Sequence, residues 1–389
     1  MSSLISAYLF LSGAVYSQET VMSKDQVIAE GEKMADAQLK MLKGNYWGRF
    51  WVDGVMWAGF ADFSRISGKK AEYLKEFEKM GNRGKWDLIL NKEEPNHADD
   101  ICIGQAFLYV YEETKDPLKI EKTIQRMDQA SDAILNGEKE KTDTQLKNKE
   151  WTKDLTWYWC DALFMAAPVH ARLSADTADP KYLKAMHAEW VRISELLYDK
   201  EEHLFFRDAR FFGKKTKSGK KVFWSRGNGW VMGALVRILT YIPKDDPLRQ
   251  RYVSQFREMS EKLASLQRPD GTWSPSLLDY EQFPYSETSG TALNCFAMAW
   301  GINNGVLDAK TYRPVVEKAW AAILAARQEN GLMGYVQGIG AEPGKVYADD
   351  YRWYGTGAFL MATVQVAEMA PVNLPASPEL SAAPPEKKK

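Results

Sequence analysis

Cysteine is scarce: the 389 residues hold three, Cys102, Cys160 and Cys295, with no CxxC spacing. That excludes a disulfide framework and a cysteine-built zinc site. All three fall in apolar helical segments, so they are expected to be free buried thiols. Histidine is little commoner, with four residues and no HExxH, so no metal centre is expected. There is no Gly-rich phosphate loop, and no apolar run long enough to span a bilayer. Neither sign of charge is in excess. Lys and Arg number 51 against 52 Asp and Glu, a net −1, which offers no general attraction to nucleic acid or an anionic membrane. Strand signals are few.

What remains is helix and aromatic rings. The chain carries 14 Trp and 18 Tyr, and flat aromatic faces suit the C–H patches of sugar rings, although most will be core. Residues 1–17 contain an apolar run followed by small residues, Ser12, Gly13, Ala14 and Ser17. Despite lacking a basic n-region, they read as a secretory leader cleaved near Ser17–Gln18, which implies export to the periplasm or beyond. Residues 371–389 are Pro/Ala-rich and end in lysines, the composition of a disordered tail. Between them, residues 18–370 are expected to form one domain.

Along that domain, helical periodicity gives about twelve helices, strongly apolar ones alternating with amphipathic ones. A weak repeat of about 60 residues accompanies them, in which a polar helix, a turn and an aromatic segment lead to the next apolar helix. Its turns fall at Asn82–Gly84, Asp199–Glu201, Pro269–Gly271 and Asn330–Gly331. Six such helical hairpins closed in a ring make an all-α (α/α)6 barrel. An open solenoid is the alternative.

The residues suited to chemistry fall where loops enter the apolar helices. Asp161 stands between Trp157-Tyr158-Trp159 and the helix beginning Ala162-Leu163-Phe164. An isolated charge in such company is costly, so it must be paired, hydrogen-bonded or protonated. A carboxyl kept protonated near neutrality is what general-acid chemistry needs. The plainer reading is a helix cap. Asp99 and Asp100, before another apolar helix, divide the same way between capping and chemistry. In Phe223-Trp-Ser-Arg-Gly-Asn-Gly-Trp230, the glycines suggest tight turns. There Arg226 offers a fork for a carboxylate, and Trp224 and Trp230 could flank a ring. Arg207 is either a second cation or half of a surface pair with Asp208 or Asp199. Glu287-Thr-Ser-Gly-Thr291 reads as a cap with close helix packing.

Taken together, ADDICIGQ, WCDALFM, FWSRGNGW, ETSGTA and Tyr354-Gly-Thr-Gly357 make the chain resemble the unsaturated glucuronyl and rhamnogalacturonyl hydrolases of glycoside hydrolase family 105 and, more distantly, family 88. The resemblance runs from about Lys24 to Met369 and implies the same (α/α)6 barrel, with no metal or organic cofactor. It also implies an oligosaccharide substrate from a polysaccharide lyase, ending in a 4,5-unsaturated uronate. An Asp protonates C4 and directs water to C5, and the glycosidic bond is lost without attack at C1. By motif position that Asp is Asp161 and the second acid is Asp99. Trp224, Arg226, Asn228, Trp230, Trp51, Tyr158, Asp100 and Arg207 line the substrate. Two departures fall beside the uronate pocket, where Glu150 and Arg207 stand in place of family histidines. A conventional two-carboxylate inverting glycosidase and a sugar-binding protein without turnover are the competing readings.

Overall fold

The computed structural model describes residues 20–43, 50–88, 97–136 and 157–384. The proposed leader, Glu150 and the final lysines lie outside them. Helix α1 (Lys24–Leu42) starts at Ser23 with a reciprocal cap: Ser23 Oγ accepts from Gln26 N, and Gln26 Oε1 accepts from Ser23 N. There follow α2 (Trp51–Ser64), α3 (Lys70–Gly84), the short α4 (Ala98–Ile101), α5 (Gly104–Thr114) and α6 (Glu121–Asn136). Next come α7 (Ala162–Thr177) and α8 (Pro180–Leu197), the latter capped by Asp179 with proline in its first turn. The last five are α9 (Ser225–Tyr241), α10 (Arg249–Ser265), α11 (Thr288–Asn303), α12 (Ala309–Ala325) and α13 (Trp353–Met369).

Two kinds of helix alternate, as the hydropathy pattern requires. In α11 every residue from Thr288 to Gly301 is buried, and in α13 every residue from Tyr354 to Val364. Outer helices such as α3 and α10 bury one face only. The inner helices α2, α5, α7, α9, α11 and α13 pack each against the next, and α13 returns to α2. The ring is closed, so the fold is the (α/α)6 barrel and the open solenoid is excluded. The closure depends on two glycines. A Cβ on Gly59 would stand 2.3 Å from the Gly357 carbonyl oxygen, and one on Gly357 would stand 2.4 Å from that of Val55. Only glycine lets these backbones meet.

Short pairings trim the barrel. After α8, β2 (Tyr198–Asp199) and β3 (Leu204–Phe205) form a small antiparallel hairpin at one of the repeated turns. At the two ends of the domain, β1 (Thr20–Met22) pairs antiparallel with β4 (Val372–Leu374). This corrects the expected disordered tail as far as residue 384. Val372 and Leu374 are buried, Ser381 exchanges hydrogen bonds with Ser286, and Ala383 N donates to Val346 O at 2.7 Å. The segment is ordered by main-chain pairing, which composition does not reveal.

Ion pairs close one end of the barrel. Arg237 meets Asp62 at 2.5 Å, and Glu112 takes both Arg65 (2.6 Å) and Arg172 (2.5 Å). The opposite end, at the N-termini of the inner helices, collects the aromatic and acidic side chains. All three cysteines are free and buried. No described helix is long and apolar enough to cross a membrane.

Candidate active site

Six inner helices point their first turns at one mouth, and the two candidate acids arrive there by different routes. Asp161 precedes α7 in a helical conformation, and its side chain makes no capping hydrogen bond. The capping explanation is therefore excluded for it. Its Oδ2 instead accepts from the Cys160 thiol at 3.5 Å and faces Arg207 Nε at 3.4 Å. Burial, with Asp161 beside it, pushes the Cys160 thiol up, so that sulfur stays protonated and donates. Asp161 is buried yet still 7% exposed, so its carboxylate is paired without being sealed.

Asp99 lies in the first turn of α4, which His97 precedes without a side-chain cap. Asp99 is partly exposed. Burial of its carboxyl, then the charges of Asp161 and Asp100, push its pKa up to about 7, with Arg207 pulling the other way. Burial and like charge therefore bias Asp99 toward its protonated form near neutrality. Arg207 lies 3.4 Å from Asp161, and at Asp99 it only partly offsets burial and the neighbouring acids.

Arg207 is held on its other side by Asp208 at 2.7 Å, the pairing foreseen in the sequence, and its side chain keeps 18% exposure. Acids on both flanks outweigh burial and keep it charged. Asp199 binds Lys221 instead, at 2.8 Å.

The Phe223–Trp230 segment needs correction at several residues. Helix α9 begins at Ser225, so Gly227 and Gly229 are helical and make no turn. They are small because neighbours are close: a Cβ on Gly229 would lie 3.1 Å from Leu293 Cβ. Arg226 is fully buried and grips no open space. Its Nη1 donates to Gln337 O at 2.8 Å and its Nη2 to Gly338 O at 2.9 Å. The guanidinium lies over Trp224 at 4.3 Å and Tyr354 at 4.9 Å, so it anchors the 337–338 loop rather than a ligand. Asn228 is also fully buried and spent: its Oδ1 accepts from Phe205 N, and its Nδ2 donates to Phe205 O and Trp224 O. Trp224 is buried, with its indole N–H on Gln337 Oε1 at 2.9 Å.

Of the other aromatic candidates, Trp51 and Tyr158 keep exposed surface and Trp230 does not. Trp51, half-buried at the start of α2, stacks on Tyr354 at 5.1 Å and meets the edge of Trp230 at 6.3 Å. Trp230 itself is buried beneath them and rests on Phe164. Tyr158 is partly exposed and packs on Trp159, whose ring also meets His97. Asp100 is buried, and its charge partly offsets the burial that lowers the pKa of Arg126 on α6. Glu287 is a cap, as read: its carboxylate accepts from Ser289 N at 3.0 Å and Gly290 N at 2.7 Å.

Three contributors went unforeseen. Tyr354 was visible only as part of a landmark motif, and its hydroxyl donates to Gln337 O at 2.5 Å. Asp53, one turn into α2, has a carboxyl that burial pushes up to about 6. Asp208 was read as a mere surface partner, yet its side chain is wholly buried. Among the described residues, no group of three His, Cys, Asp or Glu is placed to hold a metal ion.

An acid pair beside an arginine, under an aromatic wall at the mouth of an (α/α)6 barrel, has the chemistry that processing a sugar needs. The sequence matches Glycosyl Hydrolase Family 88 along residues 22–370. The chain belongs to that family. It is 36% identical over 371 residues to the unsaturated 3S-rhamnoglycuronyl hydrolase of Formosa agariphila, covering 90% of this chain and 95% of the relative. A solved family 88 glycosyl hydrolase from Bacteroides vulgatus superposes with a TM-score of 0.78 at 31% identity, covering 89% of this chain and 99% of that one. A possible family 105 member from Salmonella enterica serovar Paratyphi A shares the fold, with TM-score 0.68, 17% identity and coverage of 89% and 94%. The family 88 protein is a glycoside hydrolase.

Proposed function

We propose that this hydrolase removes a terminal 4,5-unsaturated uronic acid from lyase-generated oligosaccharides, with Asp99 and Asp161 sharing one proton. The observation that carries the reading is that pair: Asp99 poised near 7 beside Asp161 and Arg207. Neutral Asp99 gives its proton to C4, which leaves an oxocarbenium ion at C5. Asp161 takes a proton from the water that adds to C5. The C5 hemiketal then breaks its ring C5–O bond, leaving a ketone at C5 and a hemiacetal at C1. That hemiacetal expels the next sugar as an alcohol. One water is consumed, and C1 is never attacked.

The uronate carboxyl is bonded to C5, so its cation must lie beside the pair. Arg207 has that place and retains exposure, whereas Arg226 does not. Trp51 and Tyr158 supply half-exposed faces for the flattened ring and its neighbour. The likeness to the Formosa enzyme favours a 3S-rhamnoglycuronyl linkage over a rhamnogalacturonan one, consistent with the two missing family histidines. We place the enzyme outside the cytoplasm, with residues 1–17 as leader; N-terminal sequencing of the secreted protein tests this.

The functional test incubates the purified enzyme with lyase products and follows the ultraviolet absorbance of the conjugated double bond. Absorbance is expected to fall as the shortened oligosaccharide appears. Cleavage of saturated oligosaccharides alone would mean a conventional glycosidase. A rise in absorbance on intact polysaccharide would mean a lyase, and binding without turnover a lectin-like protein.

A further inference from the structure

Just outside the acid pair sits a carboxylate that the chemistry above does not use. Asp208 is completely buried. It takes Arg207 Nη1 on Oδ2 at 2.7 Å, Arg210 Nη2 on the same oxygen at 2.7 Å, and Arg210 Nε on Oδ1 at 2.8 Å. Arg210 N also donates to Oδ1 at 3.0 Å. The flanking arginines hold the carboxyl below the usual carboxylate range despite its burial. The main chain fixes the other side of Arg207, whose carbonyl accepts from Cys160 N at 2.8 Å. Arg207 is thereby strung between Asp208 and Asp161.

We propose that Asp208 is a positioning residue of the reaction: it holds the Arg207 guanidinium in place against Asp161. This rests on the proposed use of the pair. The physical reason is reach. Arginine is long, and a charged head not tethered at its far side swings into water, where it stabilises a neighbouring carboxylate far less. A buried acid behind it removes that freedom. Arg210 completes the arrangement: Arg207 alone gives the buried Asp208 carboxylate one hydrogen bond, and Arg210 supplies three more.

The groups that face one another here are few. Asp99 faces Asp161, Asp100 and Arg207; Arg207 faces Asp161, Asp208 and Cys160; Asp208 faces Arg207 and Arg210. Letting Arg207 drift removes a cation that holds the Asp99 carboxyl down. Asp99 then keeps its proton to higher pH, and the alkaline limb of the pH–rate profile moves up, by about one unit on the scale of a close charge partner.

The experiment compares wild type with Asp208→Asn, Arg207→Gln and the double variant on lyase-generated oligosaccharide across the pH range. Circular dichroism checks folding. Asp208→Asn is expected to lower kcat at pH 6 about tenfold and to raise KM, because Arg207 also serves the uronate, with the profile displaced toward alkaline pH. In the Arg207→Gln background the same change is expected to add almost nothing, because Asp208 acts through Arg207. A uniform loss of rate or stability with an unmoved profile, or full additivity in the double variant, would overturn the proposal. If Asp208→Asn does not fold, Asp208→Glu serves in its place: it keeps the charge and should retain the wild-type profile, and a displaced profile at preserved charge and fold would count against the tether. Inactivity of wild type on the unsaturated substrate would sink the functional reading itself, a separate outcome.

Discussion

Replacing Arg226 by lysine separates an anchor from a substrate clamp. The guanidinium spans two carbonyls, Gln337 O at 2.8 Å and Gly338 O at 2.9 Å, with Ser289 Oγ at 3.5 Å, between the faces of Trp224 and Tyr354. A lysine ammonium keeps the charge and can serve one carbonyl, but it cannot copy the planar fork. One charge-assisted hydrogen bond is then lost, worth about 1.5–3 kcal/mol. The flat stack between two rings goes with it, worth about 0.5–2 kcal/mol. Arg226→Lys should therefore destabilise the fold by roughly 2–5 kcal/mol. Guanidinium denaturation followed by tryptophan fluorescence measures this, and steady-state kinetics on the same protein measures KM. The expected result is a lower midpoint with KM within about threefold of wild type where the variant is folded, since uniform binding is untouched. Unchanged stability with a KM raised more than about tenfold would refute the reasoning and restore Arg226 as the uronate's partner.

Asp99→Asn and Asp161→Asn should each lower kcat by about 10²–10⁴, the range for a positioned proton donor or base, while oligosaccharide binding by calorimetry persists. The wild-type rate should fall as pH rises through about 7, where Asp99 loses its proton; a rate still climbing above that pH contradicts its role as donor. His170 is fully buried, with Nδ1 on Ala166 O at 3.2 Å, and burial pulls its pKa down to about 4. The unfolded chain binds that proton near 6.5, so the unfolded state holds more protons between those values. Stability from this residue is complete above 6.5 and is lost as pH falls toward 4, by roughly 3 kcal/mol in all. Urea melts of wild type and His170→Asn across that window should differ in slope, and parallel curves would contradict the burial argument.

The barrel was legible because its causes are periodic. Helices buried all round and helices buried on one side differ in composition, and their alternation every 60 or so residues implies a closed ring of hairpins. Caps were legible for a local reason: Ser23, Asp179 and Glu287 each act within three residues of themselves. The site was legible in its acids and misread in its cation. Arg226 looked exposed because glycines surrounded it, yet Gly229 is there for its neighbour Leu293, a contact between helices distant in sequence. Asp99 and Asp161 are likewise far apart in the chain. No sequence pattern could show that Arg207 lies 3.4 Å from Asp161 and also acts on Asp99. The ordered C-terminal stretch was missed because its partners, Thr20–Met22, Ser286 and Val346, lie up to 354 residues away (Thr20 to Leu374) and bind through the main chain.

The central claim is that the acid pair carries one proton near neutrality and that it resides on Asp99. Carbon-13 NMR titration of protein labelled at its aspartate carboxyls tests this most directly. The account predicts a resonance titrating near 7 that vanishes in Asp99→Asn and moves to lower pH in Asp161→Asn, where the like charge beside it is gone. A resonance near 7 that survives Asp99→Asn and disappears in Asp161→Asn would contradict it.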